Sequence, residues 1–200
     1  MREHLQCAPG LIGPNAVLQL LPVLERVTGA ERCAQILANA GIFQLPDGQS
    51  MIPETEAARL HKQLRREEPD RASYLSAQAG AGTGDYILRH RIPQLAQTVL
   101  RFLPPSLSAR LLSRAIAQHA WTFVGSGALR VVTPWIFEIE GNPLIKGESC
   151  EGCLCSWHEG VFSRLYQSLV ALDAHCIETH CGAQIHSNCC RFELVRGQTS

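Results

Sequence analysis

The sequence has no run of about 20 uninterrupted apolar residues, the length that a membrane-spanning helix needs. Its first residues, Met1-Arg2-Glu3-His4, also lack the apolar centre that follows the basic start of a secretory signal peptide. We therefore expect a cytoplasmic protein without a membrane span.

A net charge is missing as well. The 18 basic and 18 acidic side chains cancel. The long-range field that draws proteins onto nucleic acid or an anionic membrane is therefore absent at the level of the whole chain. We expect no nucleic-acid partner.

The chain also lacks a complete nucleotide-binding motif, although glycines alternate at Gly80, Gly82 and Gly84. A dinucleotide fingerprint needs a strand before its glycines and the third glycine in a fixed place, and a P-loop needs Gly-Lys-Ser or Gly-Lys-Thr. The segment 79–85 meets neither requirement. We predict a flexible joint between two helices here.

The spacing of apolar residues predicts a helical first half. From about residue 13 to residue 104, apolar side chains recur at intervals of three and four residues, as at Leu20 and Leu24. This spacing places them on one face of a helix. We predict a helical N-terminal region over residues 1–104, followed by an α+β region over residues 105–200.

The second region changes its period several times. Large or branched side chains alternate over residues 129–139, which predicts a strand, and Pro134 indicates an edge or a bulge within it. The helical period returns over residues 154–172, and two short strands are predicted at 174–179 and 189–194. Together these elements predict an α+β fold, with a helical N-terminal layer packed on a small antiparallel sheet in one compact domain.

Cysteine is abundant and clustered. Seven of the nine cysteines and four of the eight histidines lie between Cys150 and Cys190. An odd count cannot pair completely, and disulfides are rare in the cytosol. A close group of thiols, a helix-length gap and a second close group are typical of tetrahedral zinc sites. We therefore predict a metal site in the C-terminal quarter.

Spacing alone does not fix the ligands, because Cys153 competes with Cys155 and Cys189 competes with Cys190. Four thiolates would form a closed, structural zinc site. We predict that the ligands are Cys150, Cys155, Cys181 and Cys190, with Cys153 and Cys189 as alternates.

Three alternatives stay open at this point. A three-ligand site with His180 or His186 nearby would be the catalytic version of a zinc site. The metal could be iron in an iron–sulfur cluster, although the spacings differ from ferredoxin-type runs. Several cysteines could also be small buried hydrophobes, and we predict this for the isolated Cys7 and Cys33.

Three short motifs carry a family resemblance. Residues 155–162 read Cys-Ser-Trp-His-Glu-Gly-Val-Phe, residues 178–181 read Glu-Thr-His-Cys, and residues 190–192 read Cys-Arg-Phe. In this order they resemble the 4-vinyl reductase domain family. Residues 82–93 and 119–127 are similar to the bacteriochlorophyll-biosynthesis branch of that family, the bacteriochlorophyll 4-vinyl reductases. The spacing from Cys181 to Cys190 is one residue longer than the usual family form, and Cys189 would restore it.

The resemblance implies a fold like that of TRAPP subunits and certain ligand-sensing domains. Such a domain forms a homodimer, and its helices enclose a cavity for an apolar ligand. It also implies work in bacteriochlorophyll biosynthesis, with the biosynthetic enzymes as partners. Within the expected cytoplasmic location, a peripheral position at the photosynthetic membrane stays open.

The family name implies a reductase that hydrogenates a vinyl group of a chlorophyllide, and such an enzyme needs a source of hydride or electrons. The sequence offers no dinucleotide fingerprint, flavin site or ferredoxin-type cysteine run that we recognise. We therefore favour a carrier that holds a magnesium porphyrin or chlorophyllide over a vinyl reductase. A non-catalytic scaffold for biosynthetic enzymes is the second alternative.

A pigment site of this kind needs apolar walls, a neutral imidazole for the magnesium ion and a basic group for the propionate. His119, Trp121 and Phe123 lie together at a predicted helix end, before two glycines. His90 with Arg91 is the second candidate. Each of these residues is also compatible with ordinary core or surface packing.

Overall fold

The computed structural model describes residues 10–185 and 187–197. Its helices are α1 (Asn15–Leu18), α2 (Leu21–Thr28), α3 (Ala30–Asn39), α4 (Glu54–Glu67), α5 (Ala72–His90), α6 (Gln94–Phe102), α7 (Pro105–Gln118), α8 (Trp121–Val124) and α9 (Ser156–Leu169), with a 3-10 helix at Pro143–Ile145. Its strands are β1 (Leu11–Ile12), β2 (Ile52–Pro53), β3 (Ala128–Thr133), β4 (Ile136–Glu140), β5 (Ala174–His180) and β6 (Cys189–Arg196). No helix of the described residues has both the length and the apolar character to cross a membrane.

The main sheet is antiparallel, with its four strands in the order β3-β4-β6-β5. Strands β1 and β2 form a separate antiparallel pair of two residues each. The predicted strands at 174–179 and 189–194 are confirmed as β5 and β6. The predicted α+β class is therefore confirmed.

The single strand predicted over residues 129–139 is wrong. The chain reverses direction at Pro134 and Trp135, and β3 pairs with β4 as a hairpin in which Val131 lies opposite Phe137. Proline has a fixed φ and no backbone N–H, so it suits a turn better than a ladder position. The alternation continues across the turn, and this continuity made two strands resemble one.

The flexible joint predicted at residues 79–85 is also wrong, because α5 continues through it without a break. The glycines serve contact with α9 instead. A Cβ atom built on Gly80 would lie 2.0 Å from the carbonyl oxygen of Trp157, and one built on Gly160 would lie 2.1 Å from the carbonyl oxygen of Ala77. The two helix backbones therefore approach to a distance that only glycine permits.

Helix α9 is the centre of the core, since it packs on α5 on one side and on the sheet on the other. Phe162 of α9 stacks on Phe137 of β4, with ring centroids 4.8 Å apart, and meets Phe192 of β6 edge-on at 5.5 Å. Full burial of such a side chain contributes about 1.5–3 kcal/mol. Cys33 lies in the same core, as predicted, whereas Cys7 lies outside the described residues.

The glycine contact predicts opposite effects for two substitutions in the same helix. Gly80→Ala should lower the free energy of unfolding by about 2–3 kcal/mol, because its Cβ meets backbone that cannot move away. Gly82→Ala should change stability little or raise it by up to about 1 kcal/mol, because its Cβ meets only the flexible Gln19 side chain and alanine favours helix. Chemical denaturation of both variants tests this, and equal losses would contradict the assignment.

A buried histidine makes stability depend on pH. Burial lowers the pKa of His61 to about 3, with Arg65 adding repulsion, and its Nε2 donates to the Ala16 carbonyl at 3.0 Å. Below the ordinary histidine pKa of about 6.5, His61 is protonated in the unfolded chain but stays neutral in the folded chain. The free energy of unfolding therefore falls as pH falls. Between pH 6 and pH 5 this residue should cost about 1 kcal/mol. His61→Gln should flatten that slope in denaturation series, and an unchanged slope would contradict it.

Candidate metal centre and ligand-binding residues

Four buried side chains converge between the start of α9 and the sheet. The sulfur atoms of Cys155, Cys181 and Cys190 and a carboxylate oxygen of Glu178 all lie within 4.8 Å of one another. Such a set of three sulfurs and one oxygen is of the kind that tetrahedral metal sites use. These four residues, which we call the Cys155 cluster, could hold a metal ion.

Local structure explains why these residues meet. Cys155 immediately precedes α9, and Cys181 immediately follows β5. Side chains on a strand alternate between its two faces, so Glu178 shares the buried face of β5 with Cys176 and Ala174. The Cys155 cluster therefore ties the first turn of α9 to two neighbouring strands.

The sulfur atoms accept several hydrogen bonds. Cys155 and Cys190 have their sulfurs 3.4 Å apart, and the Asn142 side-chain amide donates to both, at 3.2 and 3.8 Å. The backbone N–H of Gly182 donates to the Cys190 sulfur at 3.3 Å. Donors of this kind surround the ligands of metal sites and favour the thiolate form.

Cys181 is the thiol most easily deprotonated in the group. Hydrogen bonds from the thiols of Cys155 and Cys190 hold the pKa of Cys181 far below its usual range, and the backbone N–H groups of Ala183 and Leu154 lower it further. Burial instead raises the pKa of Cys155 well above its usual value. Hydrogen bonding therefore favours the thiolate form of Cys181 within the cluster.

Glu178 provides the test of whether a cation fits. Its Oε2 accepts a hydrogen bond from the backbone N–H of Cys155 at 2.8 Å, whereas Oε1 is buried and has no partner among the described residues. Burial raises the pKa of this carboxyl to about 8. A buried oxygen without a partner is costly, and a bound cation would satisfy it. The residues present therefore fit a metal ion.

Three of the four predicted ligands are in the cluster, and Glu178 stands where Cys150 was expected. The Cys150 thiol is partly exposed and donates to the Gly152 carbonyl at 3.0 Å. Cys153 donates to the Glu178 carbonyl at 3.2 Å, and burial raises the pKa of Cys153 to about 12. Neither of these thiols belongs to the cluster.

The two adjacent cysteines on β6 are separated by the pleat. Cys190 points inward on the same face as Phe192 and Leu194, so Cys189 faces the other way. Of the histidines considered as ligands, His180 is exposed, and His186 lies outside the described residues. The structure therefore supports Cys190 over its alternate Cys189.

The first predicted ligand-binding group divides between surface and core. His119 follows α7 and is exposed, and the side chain of Trp121 is 56% exposed. Phe123 is buried and packs edge-on against Phe162 with ring centroids 5.9 Å apart. Only the histidine and the tryptophan are available to a ligand on the surface.

The second predicted group is assembled at the end of α5. The His90 ring lies 4.7 Å from the Tyr86 ring, and the Arg91 guanidinium lies 5.9 Å from the centre of the same tyrosine ring. Both His90 and Arg91 are exposed. This trio, which we call the His90 cluster, offers an imidazole, an aromatic face and a cation together.

Sequence reasoning missed two buried polar residues. Glu178 begins the Glu-Thr-His-Cys motif of residues 178–181. Its position on the inner face of an alternating strand was the signal that could have identified it. His158 lies in the core, where its Nε2 donates to the Phe123 carbonyl at 3.1 Å and its Nδ1 has no partner among the described residues. Burial lowers the pKa of His158 to about 4, which keeps the ring neutral.

Metal analysis can separate the two ligand sets. Purified Cys181→Ser and Glu178→Ala should both lose metal and melt at lower temperature, because a bound ion contributes its binding energy to folding. Cys150→Ser should keep the metal content of the unchanged protein. Mass spectrometry for metals together with thermal melting measures both effects. Loss of metal from Cys150→Ser with retention in Glu178→Ala would contradict the Cys155 cluster.

Solved structures with a similar fold are H-NOX domains. A structure described as probing heme distortion in the H-NOX family aligns with a TM-score of 0.56 and 9% identity, covering 94% of this chain and 96% of that one. An Fe(II) unliganded H-NOX mutant from K. algicida aligns with a TM-score of 0.54 and 8% identity, covering 94% and 98%. The fold neighbours are thus H-NOX domains and not the TRAPP subunits that the resemblance implied. At such low identity the likeness concerns the fold alone.

Two curated proteins show a much closer relationship, whereas no protein-family model matches the chain. The bacteriochlorophyll synthase 23 kDa chain of Cereibacter sphaeroides is 48% identical over 186 residues, covering 92% of this chain and 90% of that protein. The protein of the same name from Rhodobacter capsulatus is 41% identical over 185 residues, covering 92% and 86%. The chain therefore belongs to the family of the bacteriochlorophyll synthase 23 kDa chain, the bacteriochlorophyll-biosynthesis branch of the 4-vinyl reductase family.

Proposed function

We propose that this protein is an accessory factor of bacteriochlorophyll biosynthesis that binds a magnesium porphyrin or chlorophyllide and presents it to the pathway's enzymes. The relationship to the 23 kDa chains supports the pathway. The observation that carries the pigment-binding part is the His90 cluster, in which an exposed imidazole, an aromatic ring and a guanidinium lie in contact.

Each member of the His90 cluster matches one part of the ligand. An imidazole could supply a ligand to the magnesium ion, and the partly exposed Tyr86 ring adds apolar surface beside it. The Arg91 guanidinium can form two parallel hydrogen bonds with the propionate carboxylate. Arg91 lies 5.9 Å from the centre of the tyrosine ring, within the range of a cation–π interaction.

His119 and Trp121 form a second exposed pair at the end of α7. Their exposure allows an imidazole and an indole face to meet one macrocycle. Phe123 is excluded from this surface by its burial against Phe162. We assign this pair the secondary role, since the described residues show no cation–π contact on Trp121 like that of Arg91 on Tyr86.

A site in the interior has less support. The solved H-NOX structures include one whose description concerns heme, which suggests tetrapyrrole binding by this fold. In this chain the rings of Phe137, Phe162 and Phe192 pack against one another between α9 and the sheet, and His158 is fully buried beside them. A macrocycle could enter there only by displacing these rings, so the surface site is favoured.

The proposal includes a structural zinc ion in the Cys155 cluster. Zinc accepts three thiolates and a carboxylate in tetrahedral geometry, and a site closed by four protein ligands leaves no position for a catalytic water. When bound, it would neutralise the cluster's negative charge and hold α9 on the sheet. Homodimer formation and binding to biosynthetic enzymes also belong to the proposal.

Pigment titration tests the function. The unchanged protein should shift the absorbance spectrum of magnesium protoporphyrin or divinyl chlorophyllide saturably, without altering the pigment. His90→Ala and Arg91→Gln should each weaken binding about tenfold, because each removes an interaction worth about 1.4 kcal/mol. His175→Ala, which removes an exposed histidine on β5, is the matched control and should bind normally.

Other outcomes would replace the carrier hypothesis with one of its alternatives. Conversion of the pigment's vinyl group on addition of a nicotinamide cofactor or reduced ferredoxin would show that the protein is a vinyl reductase. A protein that leaves the spectrum unchanged but captures a biosynthetic enzyme would be a scaffold. Equal weakening by His175→Ala would remove the His90 cluster from the binding site.

A further inference from the structure

The zero net charge of the chain hides a strong separation of charge along it. From Tyr86 to Phe137 there are six arginines and no aspartate or glutamate. The rest of the chain carries twelve basic and all eighteen acidic residues. One quarter of the protein is therefore cationic, although the zero net charge of the whole chain predicted no electrostatic field that would attract an anionic surface.

Most of these arginines have no carboxylate partner, although Arg89 and Arg101 donate to the carbonyl oxygens of Asp85 and Ser168. Arg130 pairs with Glu138. The other five form no ion pair with any carboxylate of the described residues, and all are exposed: Arg89, Arg91, Arg101, Arg110 and Arg114. Their charges are therefore available to an anionic partner.

The same segment exposes an apolar stripe on α6. Leu95, Val99 and Phe102 are spaced by four and three residues, so they share one face of the helix, and they are 83%, 55% and 87% exposed. The opposite face carries the buried Gln97 and Leu100. The outer side of a surface helix is usually polar, whereas the outer side of α6 carries three large apolar side chains.

Helix α7 repeats the arrangement. Leu107 and Leu111 are each 46% exposed, and the exposed Arg110 and Arg114 lie one turn apart on the same outer side. Two residues separate the end of α6 from the start of α7, and the Ser108 hydroxyl donates to the Leu100 carbonyl at 2.6 Å. The two outer sides thus belong to consecutive, connected helices.

We propose that the α6–α7 face, formed by Leu95, Val99, Phe102, Leu107 and Leu111 with Arg110 and Arg114, binds the surface of an anionic lipid bilayer. Apolar side chains flanked by basic residues are what a helix lying in the interface of a membrane needs. The apolar groups enter the boundary of the acyl chains, and the guanidinium groups meet the lipid phosphates.

Charge decides between this occupant and a second copy of the chain. Two copies joined through the α6–α7 face would bring arginines against arginines, without a carboxylate on this segment to offset the repulsion. An anionic bilayer complements both the charge and the apolar stripe. The inference is independent of pigment binding, since it uses none of the His90 cluster.

Vesicle co-sedimentation of the full, metal-loaded protein tests the inference. It should bind vesicles of phosphatidylglycerol and phosphatidylcholine, bind pure phosphatidylcholine far less, and be released by high salt. Arg110→Gln/Arg114→Gln should reduce the partition coefficient about fivefold for each arginine removed. Leu95→Gln/Phe102→Gln should reduce it at least tenfold, because two large apolar side chains would no longer enter the lipid.

The matched control alters two equally exposed apolar residues elsewhere. Phe43→Gln/Leu172→Gln changes side chains that are 88% and 91% exposed and lie outside the α6–α7 face, so it should bind vesicles normally. An equal loss in this control would overturn the proposal. So would equal binding to neutral vesicles, or a stable dimer on gel filtration that Leu95→Gln/Phe102→Gln dissociates. Pigment titration of the same variants should remain normal, which separates this result from the proposed function.

Discussion

The close contact between α5 and α9 is the constraint on which the rest of the structure depends. Gly80 and Gly160 remove the side chains that would hold these helices apart, so α9 can lie between the helical layer and the sheet. From that position Phe162 reaches Phe137 and Phe192, and the first turn of α9 delivers Cys155 to the end of β5. The placement of the Cys155 cluster thus follows from helix packing.

The Cys155 cluster then fixes α9 from its other side. The buried carboxylate of Glu178 lies on β5, and the Cys190 sulfur lies close to it on β6. An ion held there would therefore join one helix to two strands. The Cys155 cluster is buried, whereas the proposed ligand-binding residues lie at exposed helix ends. Structural support and ligand contact are therefore carried by different parts of the chain.

The periodic spacing of residues in the sequence predicted structural features that depend on neighbouring residues. It missed the features that depend on contacts between residues far apart in the chain. The alternation of β5 and β6 was sufficient to place two strands, and the clustering of thiols identified three members of the Cys155 cluster. The continuity of α5 was missed because glycine weakens a helix locally, and only the approach of Trp157 explains Gly80. The hairpin at Pro134 was missed because alternation does not show where a chain reverses. Glu178 was missed because a search for thiols overlooks a carboxylate.

The most direct test of the central claim is a crystal structure of the protein with bound magnesium protoporphyrin. The account predicts the macrocycle at the exposed end of α5, with the His90 imidazole on the magnesium ion, the propionate near Arg91 and the core around Phe162 unchanged. A macrocycle inserted between α9 and the sheet, with His158 as its axial ligand, would contradict the account.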